Sequence, residues 1–162
     1  METKTIKINV RLIRLGDLPR VCAINEEMLA ENYPWAIWKG IFDTCKPYSF
    51  VAVVGHTIVG YVYCDGELVI SVAVLAAYQG YGIGRQLMTN CLASCAMGKE
   101  TRLQVRTTNT SAIKLYESLG FIIQGQIADY YKNPECDAHL MVHAAGQPHT
   151  ATAHIKCTRR AT

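Results

Sequence analysis

No two cysteines in this chain are spaced as CxxC, and the seven present, Cys22, Cys45, Cys64, Cys91, Cys95, Cys136 and Cys157, are an odd number. The common zinc-ribbon and thiol-redox spacings are therefore absent, and buried reduced thiols are expected. Long apolar runs are absent as well. Leu68 to Tyr78, interrupted by Ser71, is about half of the ~20 residues that a spanning helix needs, which excludes a membrane span. No apolar secretory segment follows Met1-Glu2-Thr3-Lys4, so a cytoplasmic location is expected. Charge is scarce at 18%, but 50% of the 162 residues are hydrophobic, enough to bury the core of one domain and to exclude general disorder.

Acids are missing beyond residue 143, where Lys156, Arg159 and Arg160 lie, so the net charge of +3 belongs to the tail and residues 1–143 are neutral overall. A folded part without a basic excess is not expected to bind nucleic acid. His139 and His143 share a strand face and His149 and His154 follow, but no acidic or Cys partner stands beside them at ligand spacing; no metal is expected. Residues 144–162, with their Gly, Pro, His, Thr and basic residues, are expected to form a mobile basic tail.

Ile6, Ile8, Val10 and Leu12 alternate with polar residues, the period of a half-buried strand over about residues 5–14. Gly16-Asp17 offers a turn and cap before Leu18-Pro19, and Val21, Ile24, Met28 and Leu29 form a helical stripe. Glu31-Asn32-Tyr33-Pro34 breaks it, and Trp35 to Phe42 reads as a second short helix. Three strands follow, Tyr48 to Val54, Thr57 to Cys64 and Leu68 to Val74, with Asp65-Gly66 as a two-residue hairpin signal. A helix then runs to near Gly98, with Thr101 to Arg106 a strand, Thr110 to Leu119 a helix, and Phe121 to Tyr131 and Cys136 to His143 the last strands. Seven strands and four helices, with helical crossovers only in the second half, predict an α/β (α+β) fold with a mixed sheet, neither a barrel nor doubly wound.

The sharpest feature is Gln79-Gly80-Tyr81-Gly82-Ile83-Gly84-Arg85, between a strand and a helix. Glycines admit close approach of a ligand, and the first helical turn presents N–H groups at the positive end of its dipole, so a phosphate is the natural guest. A P-loop is excluded because Arg85-Gln86 follows Gly84. A dinucleotide fingerprint is excluded because the glycines run as GxGxG and Glu100 precedes the next strand instead of ending it.

Gln79-x-x-Gly82-x-Gly84 after Ser71-Val72-Ala73-Val74 resembles the acetyl-CoA signature of the GNAT acetyltransferases. Val105 to Phe121 is similar to that family's second cofactor segment, with Asn109 before the helix and Tyr116 within it. Tyr130-Tyr131, Asp137-Ala138-His139-Leu140-Met141 and Glu31-Asn32-Tyr33-Pro34-Trp35 narrow the likeness to the protein N-terminal acetyltransferases, both bacterial ribosomal-protein alanine acetyltransferases and eukaryotic catalytic subunits. The resemblance implies the GNAT fold over residues 1–143, a mostly antiparallel seven-stranded sheet in which strands four and five splay. It also implies acetyl-CoA as cosubstrate, a polypeptide N-terminus as substrate, and an auxiliary subunit or ribosome as further partners.

By the same resemblance, Gly80, Gly82, Ile83, Gly84 and Arg85, flanked by Gln79 and Tyr81, would hold the pyrophosphate through backbone amides. Val72, Ala73 and Val74 would pair with pantetheine as an added strand, and Asn109, Ala112 and Tyr116 would complete the cofactor site. Tyr116 matches the family's general acid. Gln104 stands where relatives carry Glu or His, and an amide positions water but accepts no proton; Leu68 replaces a Tyr found in some relatives. Glu31 is then the best remaining carboxylate, with Tyr33, Pro34, Tyr130 and Tyr131 framing the substrate entrance. An α-amine of pKa about 7.7–8.0 needs far less help than a lysine at ~10.4, which favours N-termini. A small-molecule amine acetyltransferase and a catalytically weak CoA-binding subunit remain open as alternatives.

Overall fold

The computed structural model describes residues 5–95 and 99–144; the tail and its basic residues lie outside them. Strands β1 (Ile8–Leu12), β2 (Phe50–Val54), β3 (Thr57–Cys64) and β4 (Val69–Val74) form an antiparallel meander. Strands β5 (Thr101–Arg106), β6 (Phe121–Lys132) and β7 (Glu135–His143) form a second sheet in the order β5-β7-β6. The sheets meet where Leu68 bridges Arg102 in parallel and the Arg102 N–H donates to the Glu67 carbonyl at 2.7 Å. Beyond that bridge β4 and β5 diverge, the expected splay of strands four and five, which leaves two sheets joined at one end.

Among the described residues five α-helices accompany them: α1 (Leu18–Met28), α2 (Trp35–Gly40), α3 (Phe42–Cys45), α4 (Ile83–Ser94) and α5 (Thr110–Ser118). The segment read as one helix from Trp35 to Phe42 is two, because the backbone turns at Ile41 (φ −102°, ψ 5°). The Asp65-Gly66 hairpin is longer than the two-residue turn its sequence suggests. The Asp65 carboxylate accepts the amides of Glu67 at 2.9 Å and Leu68 at 2.8 Å, so pairing resumes only at Val69. Gly66 takes φ +101°, where a side chain is strained.

β3 is covered on both faces, so its pattern is a continuous apolar run instead of an alternation. The Tyr61 hydroxyl accepts from Asn25 of α1 at 3.1 Å, and the Tyr63 hydroxyl donates to the Trp38 carbonyl of α2 at 2.8 Å. The intervening face meets α4: a Cβ on Gly60 would lie 3.3 Å from Leu87. The core fills this sandwich, with Val21, Ile24, Trp38, Leu87, Met88 and Cys91 among its buried side chains. Each fully buried Leu, Val or Met contributes about 1.5–3 kcal/mol relative to exposure.

Asp17 fixes the entry to α1. Its carboxylate accepts two Arg11 guanidinium hydrogens at 2.8 and 2.9 Å and the Arg14 amide at 2.7 Å. Burial pushes the Asp17 pKa up, but the Arg11 and Arg14 hydrogen bonds outweigh it and hold the carboxyl below its ordinary value. Its stabilising effect is therefore complete above the unfolded pKa of about 3.9 and is lost as pH falls through the lower folded value. Asp17→Asn is expected to lower stability by about 2 kcal/mol at neutral pH. The gap between variant and wild type should close in thermal melts as pH falls through that lowered value.

Candidate active site

The divergence of β4 and β5 opens a cleft of about 680 Å³. Its walls include Val69, Ile70, Ser71 and Val72 of β4, Leu103 to Arg106 of β5, and the 28–31 and 130–133 segments. Glu31, Tyr33, Val72, Gln104, Asn109, Tyr116, Tyr130 and Tyr131, singled out in the sequence, are all on these walls. Apart from the Leu68 bridge, the facing edges of β4 and β5 carry no strand pairing, since β4 pairs with β3 and β5 with β7. An extended chain has room to lie along them.

Two backbone carbonyls of the 29–34 loop are pinned by side chains from α1 and α2. The buried Asn25 amide donates to the Glu31 carbonyl at 3.2 Å, and the Trp38 indole donates to the Tyr33 carbonyl at 3.1 Å. Trp38 itself sits among Tyr33, Tyr61 and Tyr63, with ring centroids 5.7, 6.0 and 4.9 Å away. Asn25, Tyr61 and Ser71 form one buried network, with the Tyr61 and Ser71 hydroxyls 2.7 Å apart. Ser71 thus anchors β4 to α1 from inside the cleft wall.

Arg106 is the residue that sequence reasoning missed. Its guanidinium is ion-paired with Glu31, lies 4.3 Å from the centre of the Tyr131 ring, and donates to the carbonyls of Pro134 at 2.7 Å and Asn133 at 3.3 Å. One cation therefore clamps the 29–34 loop, β5 and the β6–β7 turn together. The signal was present in the period of β5, because Arg106 is two residues from Gln104 and so shares its face. Its partner, 75 positions away, was not readable.

The tyrosines differ in depth. Tyr33 and Tyr130 are 39% and 45% exposed at the rim, whereas Tyr116 is only 7% exposed, with its ring 5.9 Å from that of Phe121. Burial pushes the Tyr116 phenol up to about 12. Burial, and after it the Glu31 charge, also raises the Tyr131 phenol; Tyr33 is raised by burial and then by Tyr130 and Glu31. All three are hydrogen-bond donors at neutral pH.

The glycine turn lies past the end of β4, outside the cleft walls, as do Pro34, Ala73, Val74, Gln79 to Arg85 and Ala112. Gly80 and Gly82 take φ +80° and +74°, and Gly82 caps α4 with no side chain bonded to the first turn. Gln79 folds back, its amide donating to the Val74 carbonyl at 3.0 Å, and Arg85 donates to the Ser118 hydroxyl at 2.7 Å. The Ile83 side chain is buried and Tyr81 packs against the core. Ala73 is buried in the sheet. Pro34 caps α2, its carbonyl accepting the Ile37 amide at 2.9 Å. Asn109 caps α5 by accepting the Ala112 amide at 3.2 Å.

Among the described residues no helix is long and apolar enough to cross a membrane. Residues 46–123 match the model of the acetyltransferase (GNAT) domain. The chain is 32% identical over 151 residues to an N-alpha-acetyltransferase of Sulfurisphaera tokodaii, covering 82% of this chain and 90% of that protein. It is 30% identical over 158 residues to the N-alpha-acetyltransferase RimI of Mycobacterium tuberculosis, covering 91% and 99%. Its fold matches Arabidopsis thaliana Naa50 in complex with a bisubstrate analogue, CoA-Ac-MVNAL, with a TM-score of 0.77 and 25% identity over 86% of this chain and 99% of that one. The splayed β4 and β5, the glycine turn opening α4 and these relatives agree: the chain belongs to the GNAT family of acetyltransferases.

Proposed function

We propose that the chain transfers the acetyl group of acetyl-CoA to the α-amine of a polypeptide N-terminus by direct attack on the thioester. The observation that carries this reading is the cleft between β4 and β5, which places Tyr116, Gln104 and Glu31 on shared walls beneath a rim of tyrosines. The residues fit the cosubstrate: an unpaired β4 edge for an extended amide chain, and a helix start with no side-chain cap for its phosphates. Acetyl-CoA supplies an activated acyl group. The backbone of Val72, at the wall, donates to or accepts from the amide chain, and the first turn of α4 holds the pyrophosphate. Val74 contributes less by its carbonyl, which already accepts from Gln79.

Glu31 keeps its carboxylate at the wall in the grip of Arg106. From there its negative charge attracts and orients the incoming ammonium. Gln104 positions the water that takes the proton. With an α-amine pKa of about 7.7–8.0 this weak machinery suffices. An N–H at the end of β4 stabilises the charge that develops on the thioester oxygen.

Tyr116 serves the departing sulfur. Burial holds its phenol well above the ordinary tyrosine value, so it keeps its proton and can donate it. Its contribution is a hydrogen bond donated to sulfur as negative charge grows there.

Gly82→Ala tests the cosubstrate end. A Cβ there meets nothing within 4 Å, so the cost comes from the backbone at φ +74° and amounts to about 1–2 kcal/mol. The expected outcome is an acetyl-CoA KM raised by up to about tenfold, with the peptide KM unchanged. The function itself is tested by following CoA release from acetyl-CoA over a panel of peptides that differ in their first residue. Turnover with peptides and none with free polyamines or amino sugars is expected; the reverse pattern identifies a small-molecule acetyltransferase.

A further inference from the structure

Away from the cleft, the fold brings three thiols together that the sequence scatters. Cys91 and Cys95, four apart on α4 and just beyond its end, share a face, and that face meets Cys64 at the end of β3. The three sulfurs all lie within 4.8 Å of one another, with Cys64 Sγ and Cys95 Sγ 3.9 Å apart. None lines the cleft, and none of the three is held in a disulfide. We infer that Cys64, Cys91 and Cys95 form a three-thiolate binding site for a soft d10 cation of the Cu(I) class.

Geometry and chemistry agree on this guest. A metal–sulfur bond of about 2.3 Å puts sulfurs around a shared ion about 4 Å apart, so the Cys64–Cys95 spacing already suits one. Thiolates select soft ions, whereas magnesium and calcium require oxygen ligands. Structural zinc takes four ligands, and among the described residues no His, carboxylate or fourth Cys joins the group. Three sulfurs alone match an ion content with three donors. Cys64 and Cys91 are fully buried and Cys95 is half-buried at the margin, which gives a dry site with an entry side. The Gly66 amide donates to Cys64 Sγ at 3.3 Å, an outer-shell hydrogen bond that steadies the sulfur as a ligand. On binding, three S–H protons pass to solvent as three sulfur–metal bonds form, with no change of oxidation state. The ion would tie the end of α4 to the β3–β4 hairpin.

The test is an anaerobic titration of the reduced, metal-free full chain with Cu(I) held by a competing chromogenic chelator. One Cu(I) per chain is expected to leave the chelator, with a near-ultraviolet thiolate-to-metal band and a raised Tm. Cys95→Ser, at the half-buried margin, should fold normally and lose affinity by at least about a hundredfold, beyond the 10–100-fold effect of an outer-shell change. Cys22→Ser and Cys136→Ser should bind as wild type does. The inference is overturned if the wild type cannot compete with the chelator, if Cys95→Ser binds equally well, or if binding follows Cys22 or Cys136. Preferential uptake of Zn(II) would overturn the assignment to the Cu(I) class. Acetyl transfer by the metal-free chain is read separately, so failure here leaves the proposed function untouched.

Discussion

Tyr116→Phe is expected to lower kcat for acetyl transfer by at least about a hundredfold, the lower end of what a positioned proton donor contributes. Tyr116 is 7% exposed on the cleft wall, its phenol keeps its proton far above neutral pH, and among the described residues no hydrogen bond reaches its hydroxyl. Removing the oxygen leaves no protein group unpaired, and the ring contact with Phe121 survives. Stability should therefore change by less than about 1 kcal/mol, and the KM for acetyl-CoA should hardly move. Such a loss in kcat alone marks an interaction made in the transition state. Steady-state thiol release with both substrates varied checks it; an unchanged kcat would remove Tyr116 from the chemistry.

Arg106→Ala should act on the peptide side. It frees Glu31 from its ion pair, removes the cation from the Tyr131 face and leaves the carbonyls of Asn133 and Pro134 without a donor. Glu31 is 37% exposed, so solvent screens the pair in part. The expected fall in peptide kcat/KM is about tenfold to a hundredfold, with little change in the KM for acetyl-CoA. Arg106→Lys should not rescue it, because an ammonium lacks the planar fork that reaches Glu31 and both carbonyls. Glu31→Gln should fall similarly, and the double variant should cost little more than the worse single one. Additive losses in that cycle would show that the two residues act independently.

Much of the fold was readable because its cues are local. Alternation marked β1, Gly120 stopped α5, and the strand-to-glycine-turn-to-helix order marked where β4 ends and α4 begins. The misread details have physical causes that lie in side chains reaching across the chain. Asp65 accepts two amides and lengthens a turn that Asp-Gly alone would keep short. Gln79 satisfies the Val74 carbonyl instead of facing the turn. Of the residues singled out in the sequence, Glu31, Tyr33, Val72, Gln104, Asn109, Tyr116, Tyr130 and Tyr131 share one cleft, but the Arg106 clamp was not legible, because it joins a loop after α1 to β5 and a hairpin turn. The thiol cluster escaped for the same reason: spacing shows Cys91 and Cys95 on one helix face, but only the packing of α4 on β3 adds Cys64.

Fragmentation mass spectrometry of the product made from a peptide carrying both a free N-terminus and an internal lysine tests the central claim most directly. The α-amine, with a pKa about 2.5 units below that of lysine, is the amine that a site with Gln104 and an Arg-bound Glu31 can use. Acetyl on the first residue, with the lysine unmodified, is the predicted result. Acetyl on the lysine with the N-terminus free would contradict the account.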